Sequence, residues 1–423
     1  MARRRCRGRA SERASPGAEV NRATSPVEPV RGLEAVVDRA RMHRERLERA
    51  RQSLRKHELA AALLFDPMNV RYVGFPGICP VANLHHSMRW VLVPVESAAI
   101  MWEYEFSVVN GVPPYWEGEV RAAPGWQFFG SGIDTVEESG AFAAEVADVL
   151  RDRGLAGERL GVDRVEAAAF VAFGAAGIEI ADAQPAIEEA RAVKSPDELA
   201  ILRRNARVAD DAIREMLTVL RPGVTENELW GTYIGYALRH GAEWCETRLL
   251  SSGPRINPWM QEATHRVVEE GDLVGLDTDL VGEDGYMIDI SRTYLCGEEP
   301  PSDEQRRLYR VAYDFVYENM PELRAGASFE ELGTRMAARL PDEFQALRYP
   351  FIAHGSGMVD EYPAIKFDHH HPGELEAGMV LSVEAYVGAV GGREGVKLEE
   401  QIIVTDDEPE LISFAPFDER LLT

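Results

Sequence analysis

The stretch GLDTDLVGEDGYMIDISRT at 275–293 sets five acids, Asp277, Asp279, Glu283, Asp284 and Asp289, among Leu276, Leu280, Val281, Met287, Ile288 and Ile290. So apolar a run belongs in a core, and a buried carboxylate is costly unless a cation compensates it. Asp277 and Asp279 are two residues apart, which puts them on one face of a strand. Gly282 to Gly285 supply a turn, and Asp289 returns on the next strand beside them. Three carboxylates then converge, and a divalent cation relieves their repulsion. A helix–loop–helix calcium site is excluded. Val281 stands at its fifth position, where an oxygen ligand is wanted, and Ile288 at its twelfth, where Glu is required.

Three later residues break apolar strand-like runs in the same way. His354 ends the PFIA stretch of PFIAHGSGM, Glu384 interrupts MVLSVEAYVG, and Glu399 sits in GVKLEEQIIV. Carboxylates with one imidazole suit manganese, iron, cobalt or zinc. Six such side chains exceed what one catalytic ion needs, so the expectation is two divalent ions with bridging carboxylates. The run DHHHP at 368–372 reads instead as a surface loop, because three successive His cannot all face one ion.

The elements that must position these residues fall into two blocks. Residues 33–57 read as a helix, and AALLF (61–65), RWVLVPVE (89–96) and AAIMWE (98–103) as strands. A helix over 136–153 and a strand at 159–164 follow. Strands alternating with helices indicate an α/β domain that closes near residue 190. Ser195-Pro196-Asp197-Glu198 then starts a helix, with Ser195 as cap, Pro196 in the first turn and Glu198 completing a capping box. Leu199, Leu202, Ala206, Ala209 and Ile213 share one face of that helix, and Pro222-Gly223 ends it. LRPGVTENEL (220–229) aligns without a gap to LRAGASFEEL (323–332), with boxes from Thr225 to Glu228 and from Ser328 to Glu331. Ser195-x-x-Glu198 is echoed by Ser302-x-x-Gln305. Two duplicated halves, each of helices followed by strands, would bring their strands together at the centre of the second domain.

Composition narrows the function classes. The chain of 423 residues carries a net charge of −25. Its first 31 residues hold eight Arg against three Glu, leaving −30 on the remainder. So acidic a body disfavours nucleic acid and anionic membranes as partners. No apolar run reaches the ~20 residues of a membrane-spanning helix. Residues 1–31, rich in Arg, Ser, Ala and Pro, read as a disordered basic tail. Cys6, Cys79, Cys245 and Cys296 form no CxxC or disulfide framework, which fits a reducing cytoplasm.

Gly285-Tyr286-x-x-Asp289-x-Ser291-Arg292-Thr293, followed by His354, Glu384 and Glu399, resembles the pita-bread metalloenzymes of the creatinase, aminopeptidase and prolidase superfamily. The resemblance implies an α+β fold. A duplicated αββ catalytic domain over 191–423, with a dinuclear metal site, follows a smaller α/β creatinase/prolidase-type domain over 32–190. It also implies a homodimer. Peptidases of this family keep two histidines beside the metals. One would fall near Met260-Gln261, and the other at Glu361, seven residues past His354. Neither is present.

The departures are similar to one branch, the dimethylsulfoniopropionate lyases of this fold. Ser251-Ser252-Gly253-Pro254-Arg255, Asn257-Pro258-Trp259 and Gln261-Glu262 match that branch. So do Asp277-Thr278-Asp279-Leu280, Asp360-Glu361 and Lys397-Leu398-Glu399. This likeness implies Asp277, Asp279, Asp289, His354, Glu384 and Glu399 as metal ligands and Asp360 as general base. Tyr349, five residues before His354, would orient substrate or assist the base. The implied reaction takes a small carboxylate with a β-sulfonium and releases dimethyl sulfide and acrylate. A sulfonium favours aromatic faces, for which Trp259, Tyr362 and Trp90 are candidates, because Ala82 stands where the branch has Trp. His85-His86 would line the pocket entrance. The alternatives are an Xaa-Pro-type metallopeptidase, a creatinase-type small-molecule hydrolase, or a binding module that has lost its metals.

Overall fold

The computed structural model describes residues 36–74, 86–107, 112–369 and 371–423. The basic tail, Ala82, His85 and His370 lie outside them. In the N-terminal part, β1 (Ala61–Leu64), β2 (Trp90–Pro94), β3 (Ile100–Glu103), β4 (Glu119–Ala122), β5 (Leu160–Val162) and β6 (Ile180–Asp182) form one mixed sheet, ordered β4-β3-β2-β1-β5-β6. Both faces of the inner strands β1 and β2 are covered, which is why they read as continuous apolar runs, while the edge strands β4 and β6 are partly exposed. Ala62, Leu64, Val91 and Val93 pack with Met42, Ala50 and Leu54 of the helix Arg39–Lys56. Ala61, Leu63, Trp90 and Leu92 pack with Phe142 and Val146 of the helix Thr135–Asp152.

The C-terminal part contains β7 (Trp244–Cys245), β8 (Leu250–Ser252), β9 (Leu273–Asp277), β10 (Leu280–Val281), β11 (Met287–Ile288) and β12 (Ser291–Leu295). It continues with β13 (Phe351–Ser356), β14 (Asp360–Lys366), β15 (Val380–Gly388), β16 (Gly395–Ile403) and β17 (Glu410–Leu411). They form three sheets, β11-β10-β7, β12-β9-β8 and β14-β13-β15-β16-β17. The hydroxyl of Thr293 on β12 donates to Lys397 O of β16 at 2.9 Å and accepts from Lys397 N at 3.1 Å. A side chain thus ties together β12 and β16, strands of two different sheets.

The internal repeat is repeated in backbone bonding. Gly223 N donates to Val268 O at 2.9 Å, and Gly326 N to Leu375 O at 2.8 Å. The return bonds, Val268 N to Val224 O and Leu375 N to Ala327 O, measure 2.8 and 2.9 Å. Both glycines sit at positive φ, +92° and +81°, which a side chain would resist. Capping boxes form at Ser195, Thr225 and Ser302. The fourth does not: Ser328 makes no capping bond, and Glu331 turns outward to Arg335 at 3.7 Å. Among the described residues no helix is long and apolar enough to cross a membrane.

Candidate metal centre

The acidic hairpin differs from the expected strand pair. Asp277 ends β9, and Asp279 lies in a break before β10 at φ +37°, uncommon for a residue with a side chain. Asp289 lies in the matching break between β11 and β12. Thr278 closes the two breaks. Its hydroxyl donates to Ile288 O at 2.8 Å and accepts from Ile290 N at 3.0 Å. Asp277 and Asp279 therefore converge through a kink, not through alternation along one strand.

The six candidate ligands come together. Oxygens of Asp277, Asp279 and Asp289 lie within 4.8 Å of one another, and so do ligand atoms of Asp289, His354 and Glu399. Asp289 belongs to both groups. His354 Nε2 lies 3.5 Å from Asp289 Oδ2, 3.5 Å from Glu384 Oε1 and 3.6 Å from Glu399 Oε1. Glu384 and Glu399 are direct cross-strand partners, and His354 faces Ser382 on the neighbouring strand. All six side chains are buried.

Electrostatics explain why such a cluster needs a cation. Burial, reinforced by neighbouring carboxylates, raises Asp279 and Asp289 well above the usual carboxylate range. Burial also lifts Glu384 to about 8 against the pull of Lys397. Burial disfavours a charged His354, yet the adjacent Glu399 and the charges of Asp360 and Glu384 carry it to about 10. Asp289 Oδ1, Glu384 Oε1 and Glu399 Oε1 are buried without hydrogen-bond partners. Orphaned buried oxygens are costly, and a divalent ion satisfies them while replacing the proton on His354. The donor set, five carboxylates and one imidazole, fits such ions.

Two further residues of the centre stand in the sequence only as motif members, with no role assigned to them. Lys397 Nζ lies 2.8 Å from Glu384 Oε2, 2.9 Å from Glu399 Oε2 and 3.6 Å from Asp277 Oδ2. Ser291 Oγ accepts from Lys397 Nζ at 2.9 Å, with Asp277 Oδ1 at 2.8 Å and Glu399 Oε2 at 2.7 Å as alternative acceptors of its one proton. Alternation already placed Lys397 on the face of Glu399.

Around this centre the other expectations divide. Asp360 opens β14, with Oδ1 3.6 Å from His354 Nδ1, and its side chain is 58% exposed. Surrounding protein raises its pKa by desolvation; His354 opposes this and Glu399 adds to it. The ring of Tyr349 lies 5.1 Å from Lys397 Nζ. Phe351, unremarked in the sequence, stands beside His354 at 5.7 Å between ring centroids. Phe351, His354, Asp360, Tyr362, Glu188 and His371 help to line a cleft of about 630 Å³. Trp90 cannot serve a substrate: it is fully enclosed by Phe65, Trp102, Trp126 and Phe142. Trp259 is likewise core, packed against Tyr386. His86 stacks on Phe129 at 4.2 Å. Glu361 is held inside by Lys194 at 2.6 Å and Arg191 at 3.0 Å, and His265 meets Asn227 instead of the centre.

Residues 200–406 match the model of metallopeptidase family M24, and residues 46–193 that of the creatinase/prolidase N-terminal domain. A protein of Roseovarius nubinhibens named dimethylsulfoniopropionate lyase DddP is 33% identical over 398 residues, which cover 92% of this chain and 89% of that one. The chain belongs to metallopeptidase family M24. The DddP of Roseobacter denitrificans is 34% identical over 395 residues, 91% of this chain and 88% of its own. Among solved structures, an Xaa-Pro dipeptidase from Bacillus anthracis superposes with a TM-score of 0.73 at 25% identity, covering 89% of this chain and 99% of that one. The M24 chain described here therefore has a creatinase-type N-terminal domain and a pita-bread domain, and is a metal-dependent enzyme by family.

Proposed function

We propose that this enzyme is a dimethylsulfoniopropionate lyase, with Asp360 as its base and Asp277, Asp279, Asp289, His354, Glu384 and Glu399 as ligands of two divalent ions. The observation that carries the reading is the position of Asp360. It is the one carboxylate of this group left largely open to solvent, and it stands beside His354 at the cleft. A base must keep its lone pairs free of the ions, and desolvation, which raises the Asp360 pKa, makes it a readier proton acceptor. The match to two named lyases over most of the chain supports the same reading.

When bound, the ions supply a Lewis-acid seat for the substrate carboxylate. Asp360 takes the proton from the α-carbon. The C–H electron pair becomes the second bond between the α- and β-carbons. The C–S bond breaks, and dimethyl sulfide leaves with that bond's electron pair. Acrylate remains, and the proton stays on Asp360 until solvent accepts it. Phe351 and Tyr362 are the aromatic residues along the cleft, where a ring face would suit the sulfonium, and acids along the cleft favour its positive charge.

The likeness to an Xaa-Pro dipeptidase supports a second reading, proline-dipeptide hydrolysis. Glu361 counts against it, because the position where that chemistry keeps a histidine holds a paired acid. One experiment separates the two. Metal-loaded protein is incubated with dimethylsulfoniopropionate and, separately, with a proline dipeptide. The expected result is headspace dimethyl sulfide and an intact dipeptide. Asp360→Ala should lower the elimination rate by about 10²–10⁴-fold with unchanged metal content. No sulfide from loaded wild type overturns the lyase reading, and an unaffected Asp360→Ala variant overturns the base.

A further inference from the structure

Five carboxylates meet at the centre, and one ammonium is buried among them. Lys397 touches an oxygen of Glu384 and of Glu399, and approaches Asp277. In both glutamates it takes Oε2, while Oε1 is left buried and without a hydrogen-bond partner. Ser291 completes the arrangement, since it accepts from Lys397 and lies within bonding distance of Asp277 and Glu399. The ammonium is fixed from three sides and is fully enclosed. Its charge is therefore as permanent a part of the centre as the carboxylates.

We infer that Lys397 is a resident counter-cation that sets the charge of the metal centre and makes it selective for pairs of divalent ions. The five acids Asp277, Asp279, Asp289, Glu384 and Glu399 carry five negative charges. Lys397 neutralises one, and two divalent ions neutralise the other four. A trivalent ion in either place leaves an uncompensated positive charge in a buried site, which is strongly disfavoured. The same ammonium holds the metal-free centre together, because it compensates part of the repulsion that the ions otherwise remove. It also turns Glu384 and Glu399 so that each shows one oxygen to the ions. Lys397 is thus a positioning and specificity residue, and it does not touch substrate.

The inference rests on reading the six side chains as ligands, and is independent of the lyase activity. Its test uses the full chain and its Lys397→Met, Lys397→Arg and Ser291→Ala variants. Melting temperatures are measured with chelator and with manganese, and terbium competes with manganese at the centre. In Lys397→Met the metal-free protein should lose more melting temperature than the loaded protein, so the gap between them widens. Preference for terbium over manganese should rise about ten-fold or more, as a unit charge is removed at close range. Lys397→Arg and Ser291→Ala keep the charge and should keep the wild-type preference. A purely structural lysine would lower both melting temperatures together and leave the preference alone, and that result overturns the inference. A shifted preference in either charge-keeping variant overturns it too, even where Lys397→Met fails to fold. Wild type that takes up neither ion overturns the ligand reading itself.

Discussion

Asp360 and Glu361 are neighbours with opposite tasks, and the strand explains how. Successive side chains of β14 point to opposite faces. Asp360 turns to His354 and solvent, while Glu361 turns inward to Lys194 and Arg191, both buried. The inner acid anchors the outer one. Glu361→Gln would leave two buried cations short of a partner. Breaking a buried pair by removing one member costs about 3–5 kcal/mol. The expected outcome is a lowered urea midpoint, with the elimination rate falling as Asp360 loses its support. An unchanged midpoint would mean that the pairs contribute nothing net. At this scale the sequence was informative where a residue contradicted its surroundings. Asp277, Asp279, Asp289, His354, Glu384 and Glu399 each interrupt an apolar run, and that anomaly is legible without coordinates. Lys397 was harder to read, because it stands next to two acids in GVKLEE and resembles a solvated edge. Its burial depends on strands far away in the chain.

At the scale of elements, the tight hairpin between β13 and β14 positions both His354 and Asp360, the proposed base. Ser356 pairs with Asp360 across it, and Gly357 lies in the turn. A Cβ on Gly357 would overlap Glu361 Oε1. That oxygen is held by Lys194, so it does not yield freely. Gly357→Ala should destabilise the protein by about 1–3 kcal/mol, the usual cost of overpacking. It should also displace Asp360 and depress turnover more than metal content. Calorimetry, turnover and metal analysis on one preparation check this, and a fully active, equally stable variant would contradict it. The duplicated helix starts and glycine turns were legible as a repeat, because capping and positive φ demand particular residues. The kink at Thr278 and Asp279 was not. A sequence shows that two aspartates are two apart. It does not show that a threonine hydroxyl will replace ladder bonds between them.

At the scale of the whole molecule, the N-terminal helix Arg39–Lys56 is joined to the catalytic half by several ion pairs, of which those on Glu198 are the most enclosed. Glu198, in the first turn of the helix Pro196–Leu217, receives Arg46 at 2.9 Å and also pairs with Arg49 and Tyr286. Tyr286 belongs to the acidic hairpin, so this junction braces the strands that carry Asp277, Asp279 and Asp289. Burial by itself would raise the Glu198 carboxyl, but Arg46 and Arg49 outweigh it and hold it near about 2. The sign follows from linkage. An acid whose folded pKa lies below its unfolded value, about 4.3, stabilises the fold fully above that value. The contribution, about 3 kcal/mol, is lost as pH falls from there toward 2. Glu198→Gln removes it at every pH. The melting temperatures of wild type and Glu198→Gln should therefore differ most at pH 6 and converge as pH drops from about 4.5 toward 2. Chelator is present throughout, so that loss of metal in acid does not add its own slope. A difference that stays constant across that range would show that the junction is held by packing and not by the charge on Glu198.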